Sequence, residues 1–229
     1  MPNMPTRHLT RREFLRLTAG MTGLTTLLAS HWSRAMGPRP EFQGVHRLSG
    51  KVLINGQPAM VRMPVNPGDT ITTGADGTVI FVVGVDAYLL RENSTLKVEG
   101  EPSLIRQLTL KAGKLLSVFA PNKVERRFQT TTAVIGIRGT GLYMEADEDK
   151  TYVCTCYGTT QLAVANQPES GETIVTKHHE QPRYIYPAGS GRDELIVKAK
   201  VVNHTDDELT MLEWLVGRRP PFGSSGSSY

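Results

Sequence analysis

A mainly β fold, a β-sandwich or barrel with one short C-terminal helix, follows from three observations. From Val45 to residue 165 short runs rich in Val, Ile and Leu recur, each 4 to 8 residues long and bounded by Gly, Pro, Asn or Asp. Strong turn signals separate them: Asn55-Gly56, Asn66-Pro67-Gly68-Asp69 and Thr73-Gly74-Ala75-Asp76-Gly77. Helical spacing occurs late, where Leu209, Leu212, Leu215 and Val216 stand three and four apart within Asp207 to Val216.

Taken in order, residues 1–35 read as a twin-arginine export signal. Thr10-Arg11-Arg12-Glu13-Phe14-Leu15-Arg16 precedes a modest apolar run, Leu17 to Ala29, which falls short of the ~20 apolar residues a permanent span requires. Ser33-Arg34-Ala35 offers small residues for cleavage after Ala35. The expectation is handling by the twin-arginine translocase, a periplasmic location in a Gram-negative type of cell, and no transmembrane anchor after cleavage.

Residues 36–43 read as a linker and 44–165 as the β domain. Within it Thr78 to Val85, Ala87 to Arg91, Thr95 to Val98, Ile105 to Leu110 and Lys114 to Phe119 read as separate strands. Residues 128–146 and 151–165 follow, with Gly158 at a turn. Residues 166–218 form an extension docked on the domain. Asn203-His204-Thr205-Asp206 is its helix cap, Gly217 its stop, and Leu209, Leu212 and Trp214 or Leu215 its docking face. Residues 219–229, ending in a Gly/Ser run, read as a disordered tail.

Charge excludes one class of partner. The chain has 26 Lys plus Arg against 22 Asp plus Glu and a pI of about 9.1. Residues 1–35 hold Arg7, Arg11, Arg12, Arg16 and Arg34 against Glu13 alone, leaving 21 of each sign in the remainder. The basic excess belongs to the signal, so nucleic acid is not an expected partner.

Three stretches of the β domain resemble the periplasmic FecR domain of iron-uptake signalling regulators: Gly50 to Pro58 with Gly68 to Gly77, then Leu110 to Leu115, then Thr132-Ala-Val-Ile-Gly136-Ile-Arg138-Gly139-Thr140. The resemblance covers roughly residues 44–165 and implies a FecR-like β-sandwich or barrel. It implies a non-enzymatic binding or sensing module of the cell envelope, with an envelope protein or glycan as partner. A full FecR regulator adds a cytoplasmic anti-sigma segment and a membrane helix, which the signal-like start of this chain does not supply. Gly136, Arg138, Gly139 and Thr140 then have structural roles, Gly68, Gly74, Gly77 and Gly113 sit at arches and bulges, and Asp69 and Asp76 bond their own turn amides. Arg138, inside an apolar strand, reads as a buried cation answering Asp69 or Asp86.

Chemistry-bearing residues are few. Cys154 and Cys156 stand i and i+2 on a strand, so their thiols share a face with Cα atoms about 6–7 Å apart. Three readings stay open: a strained disulfide, a pair of inert thiols, or soft ligands for a transition metal with His178, His179 or His204 completing the sphere. Against the last, adjacent His178 and His179 point apart on a strand, and His204 reads as part of the helix cap. Asp147-Glu148-Asp149 reads as a solvated hairpin tip. No hydrolase, nucleotide or haem-attachment motif is present, so the chain reads as non-enzymatic, with a metal or redox protein as the alternative and a structural envelope protein after that.

Overall fold

The computed structural model describes residues 43–101, 104–121 and 126–223. The signal-like start, with Arg11, Arg12, Phe14, Leu15 and Ala35, and residues 224–229 lie outside the described residues. Among the described residues the strands are β1 Gly44–Ser49, β2 Val52–Ile54, β3 Gln57–Pro58, β4 Thr70–Thr73, β5 Thr78–Val83, β6 Asp86–Leu90 and β7 Thr95–Glu101. They continue with β8 Leu104–Val118, β9 Arg126–Gln129, β10 Ala133–Ala146, β11 Thr151–Val164, β12 Gln167–Thr176, β13 Arg183–Ile185 and β14 Ile196–Lys198, and the helix α1 is Asp206–Leu215. All fourteen strands belong to one hydrogen-bonded, branched sheet, antiparallel except where β8 runs parallel to β9. The mainly β expectation holds, and the described residues form one compact unit.

The sequence reading divided what the chain keeps continuous. The runs at 105–110 and 114–119 are parts of one 15-residue strand, β8, and β10 and β11 have 14 residues each. Gly158, expected at a turn, lies inside β11. Gly139 (φ +58°) sits where the register of β10 against β11 breaks, and a Cβ there would stand 2.7 Å from Pro121 Cα. Gly158 (φ +94°) packs against that bulge, with a Cβ position only 2.5 Å from the Gly139 carbonyl oxygen. Each glycine lets a long strand change direction without ending. Thr140 Oγ1 donates to Thr159 O at 2.9 Å and holds the bulge from within.

Bending gives these strands two different partners along their length. The first half of β8 pairs with β7 and β9, and its second half with β6 and β10. Strands β5 and β6 and parts of β8, β10 and β11 are buried on both faces. Alternate side chains such as Phe81, Tyr88, Leu115, Met144 and Val153 enter one large apolar core. Those between them, including Val82, Leu89, Leu116, Tyr143, Cys154 and Cys156, enter a second core beneath α1.

The helix starts at Thr205, whose side chain accepts from Glu208 N while Glu208 reaches back to Thr205 N, a complete capping box. Gly217 (φ +71°) follows its end, as expected. Leu209, Leu212 and Val216 are buried, whereas Trp214 is 69% exposed, so docking uses the leucine stripe and not the tryptophan.

Two further expectations change. Arg138 is exposed because Ile135 and Ile137 of the same strand take the core-facing positions. The buried cation is Arg126, whose Nη2 meets Asp86 Oδ2 at 2.7 Å with both side chains at least 98% buried. Asp69 accepts from Asn66 N and Asn55 Nδ2, each at 2.7 Å, while Asp76 accepts from Lys51 N across to the neighbouring segment. Residues 219–223, assigned to the tail, include a buried Pro220 and a Phe222 packed on Tyr157 and His178. Among the described residues no helix is long and apolar enough to cross a membrane.

Candidate metal centre

Strand β11 presents Cys154 and Cys156 on the face turned toward α1, between Tyr143, Tyr152, Leu209 and Leu212. Both thiols are free and buried. After β12 the chain bends at residues 177–179, and His179 adopts φ +51° while its N–H donates to Cys156 O at 2.9 Å. Adjacent strand residues would point apart, but this bend turns both imidazoles inward. His204, immediately before the cap residue Thr205, enters from the third side and stacks on Tyr143, with centroids 4.4 Å apart and planes at 18°.

Four of the five metal candidates therefore meet. Ligand atoms of Cys154, Cys156, His179 and His204 all lie within 4.8 Å of one another, and all four residues are buried. Cys154 Sγ lies 3.4 Å from His179 Nδ1, and His204 Nε2 lies 3.0 Å from the same Nδ1. His178 stands outside this set. Its Nε2 lies 2.9 Å from both carboxylate oxygens of Asp206, whose Oδ1 also sits 3.1 Å from His179 Nε2. The reading of His204 as a cap residue is corrected, because its backbone leads into the cap while its ring joins the cluster.

Proton bookkeeping makes the cluster unusual. His204 Nδ1 faces the Val202 carbonyl oxygen at 2.6 Å, and His179 Nε2 faces the Asp206 carboxylate. Both acceptors require N–H donors, so each imidazole spends its single neutral-state proton on its outer nitrogen. The inner nitrogens then confront each other at 3.0 Å as two lone pairs, an arrangement that a shared proton or a cation must bridge. Outer nitrogens held by a carboxylate and a backbone carbonyl are the usual supports of metal-bound histidines.

Mutual hydrogen bonding and burial govern the thiols. The Cys156 thiol first, then His179 and His204, hold the Cys154 thiol well below the usual range, against the opposing effect of burial. Burial first, and Cys154 second, push Cys156 the other way. For His179, burial works to lower the pKa but is outweighed by Cys154 and Asp206, which raise it. Asp206 is the first residue of α1, where the helix dipole favours its negative charge.

The donor set fits a tetrahedral ion. Metal–sulfur bonds of about 2.3 Å and metal–nitrogen bonds of about 2.0–2.1 Å give tetrahedron edges of roughly 3.3–3.8 Å. The Cys154–His179 contact of 3.4 Å is of that size, and the His179–His204 contact of 3.0 Å is shorter, so the imidazoles would part by a few tenths of an ångström around an ion. Two thiolates with two imidazoles suit zinc or iron, and four protein ligands in a buried site leave no position for a substrate. Sequence reasoning overlooked Asp206, although its place two residues after His204 and directly after the cap was the available signal.

No family model and no curated protein matches the chain. Two solved structures of an anti-sigma-factor candidate from Parabacteroides distasonis are similar to it at 12% identity and a TM-score of 0.46. Each match covers 65% of this chain, and the chain spans just under two thirds of those structures, 65% and 64%.

Proposed function

We propose that this chain is an exported, non-enzymatic module of the cell envelope whose second core is locked by one transition-metal ion, zinc or iron, held by Cys154, Cys156, His179 and His204. The observation that carries the reading is the 3.0 Å approach of His204 Nε2 to His179 Nδ1 while both outer nitrogens are committed to acceptors. The ion ties three separate segments together: β11, the bend after β12, and the approach to α1. Its role is architectural, because a closed four-ligand site offers no coordination position for chemistry. The twin-arginine start at Arg11 and Arg12 supports export of a chain already folded around its ion. The FecR-type resemblance of residues 44–165 supports a binding or sensing role toward an envelope protein or glycan.

Elemental analysis of the full chain, purified without chelator, tests the reading. One equivalent of zinc or iron per chain is expected, exchangeable for cobalt(II) with thiolate-to-cobalt absorption, and lost in Cys154→Ser and His204→Ala. A metal-free chain that takes up neither zinc nor cobalt(II) overturns it.

A further inference from the structure

On the outer side of His178 the structure has a second feature that the metal does not use. A cavity of about 600 Å³ opens between the Gly139/Gly158 bulge, the bend after β12 and the segment that follows α1. That volume falls in the range of small-molecule sites, about 300–1,000 Å³. Its apolar wall includes Phe119, Pro121, Pro221 and Phe222. Phe222 is braced by rings on both sides, 4.6 Å from the His178 centroid and 5.8 Å from that of Tyr157.

Charge at the cavity is unbalanced. Glu213, the acid among its lining residues, accepts from Tyr157 Oη and from Arg218 Nε, the latter at 2.5 Å, so its carboxylate is already matched. Arg218 Nη1 donates to Val85 O and its Nη2 is buried, so this guanidinium is turned into the protein and not toward the opening. Two more cations, Lys177 and Arg219, line the cavity and are exposed. Neither makes an ion pair within 4.0 Å among the described residues, and the exposed Glu180 carboxylate, which accepts from Lys177 N, offsets Lys177 in part. An apolar cavity walled by Phe222 and Pro221 and edged by two exposed cations has the complementarity of one ligand class.

We propose that this cavity binds a small aromatic carboxylate, its ring against Phe222 and Pro221 and its anionic group toward Arg219 and Lys177. None of Cys154, Cys156, His179 and His204 lines the cavity, so the titration and the metal content are read independently on the chain as purified.

Isothermal titration of the full chain with naphthalene-2-carboxylate, and with its uncharged amide, is the test. The carboxylate is expected to bind at one per chain and at least tenfold more tightly than the amide. Lys177→Ala with Arg219→Ala, both at exposed positions, is expected to weaken the carboxylate at least fivefold and leave the amide unchanged. Phe222→Ala is expected to weaken both. Equal affinity for acid and amide, no binding at millimolar concentration, or no response to the double substitution overturns the proposal. So does a tenfold gain in affinity on truncation after Gly223, which assigns the cavity to the chain's own C-terminal residues.

Discussion

The two faces of β5, β6, β8, β10 and β11 are built by the same strands yet solve burial differently. The larger core is assembled from aliphatic and aromatic side chains, including the stacked pair Phe81 and Tyr88 with centroids 4.8 Å apart. The core beneath α1 mixes leucines with two thiols, three tyrosines and the inward-turned histidines. Apolar burial dominates the first face, where the Arg126–Asp86 pair beside Phe119 satisfies its own charges. On the second, polar groups occupy sites where an apolar residue would pack, and they have to find partners in one another or in a bound cation. The lesson is that a strand can carry a generic fold on one side and a specific chemistry on the other, with alternation keeping the two apart.

The largest expected effect belongs to the apolar face. Phe81→Ala should destabilise the protein by about 3–5 kcal/mol in denaturant titration, with or without metal present, because it leaves a cavity no polar partner can mend. Chelation provides the contrast. Removing the ion should expose the amides of α1 and residues 177–179 to hydrogen exchange while those of β1 and β5 stay protected, and uniform loss of protection would erase the distinction between the faces.

Smaller changes sharpen the comparison. Asp206→Asn keeps the shape but weakens the acceptor behind His179, so metal affinity should fall about 10–100-fold in a competition assay with a chromophoric chelator. Thr205→Ala removes the helix cap and should cost about 1 kcal/mol, seen as a lower denaturation midpoint. Trp214→Ala, at an exposed helix position, should stay within about 0.5 kcal/mol of the parent in the same measurement, and a larger loss would mean that α1 docks through a face other than the leucine stripe.

Much of the fold was legible because it is local. Period-two alternation, Asn55-Gly56 and the capping signals around Thr205 each act over a few residues. Strand length was not, because Gly158 reads as a turn, and the run around Gly113 as a gap between two strands, when their neighbours on adjacent strands determine that both are bends. The cluster was half legible. Cys154 and Cys156 declare a shared face by spacing, but bringing His179 to them depends on a left-handed residue, which a strand reading of His178-His179 forbids. The buried ion pair shows the same limit: Asp86 was a named candidate, yet its partner came from Arg126 of β9, 40 residues along the chain and placed by tertiary pairing.

The spacing of the four ligands along the chain also sets a timetable. Cys154 and Cys156 are synthesised early, His179 follows after a further strand, and His204 comes last, with α1 and the final turn still to be made. A nascent chain thus offers an ion two thiols, then one imidazole, and the full set of four only when residue 204 of 229 has been added. On the proposed reading, the compartment in which α1 settles is the one whose metal supply decides the occupant.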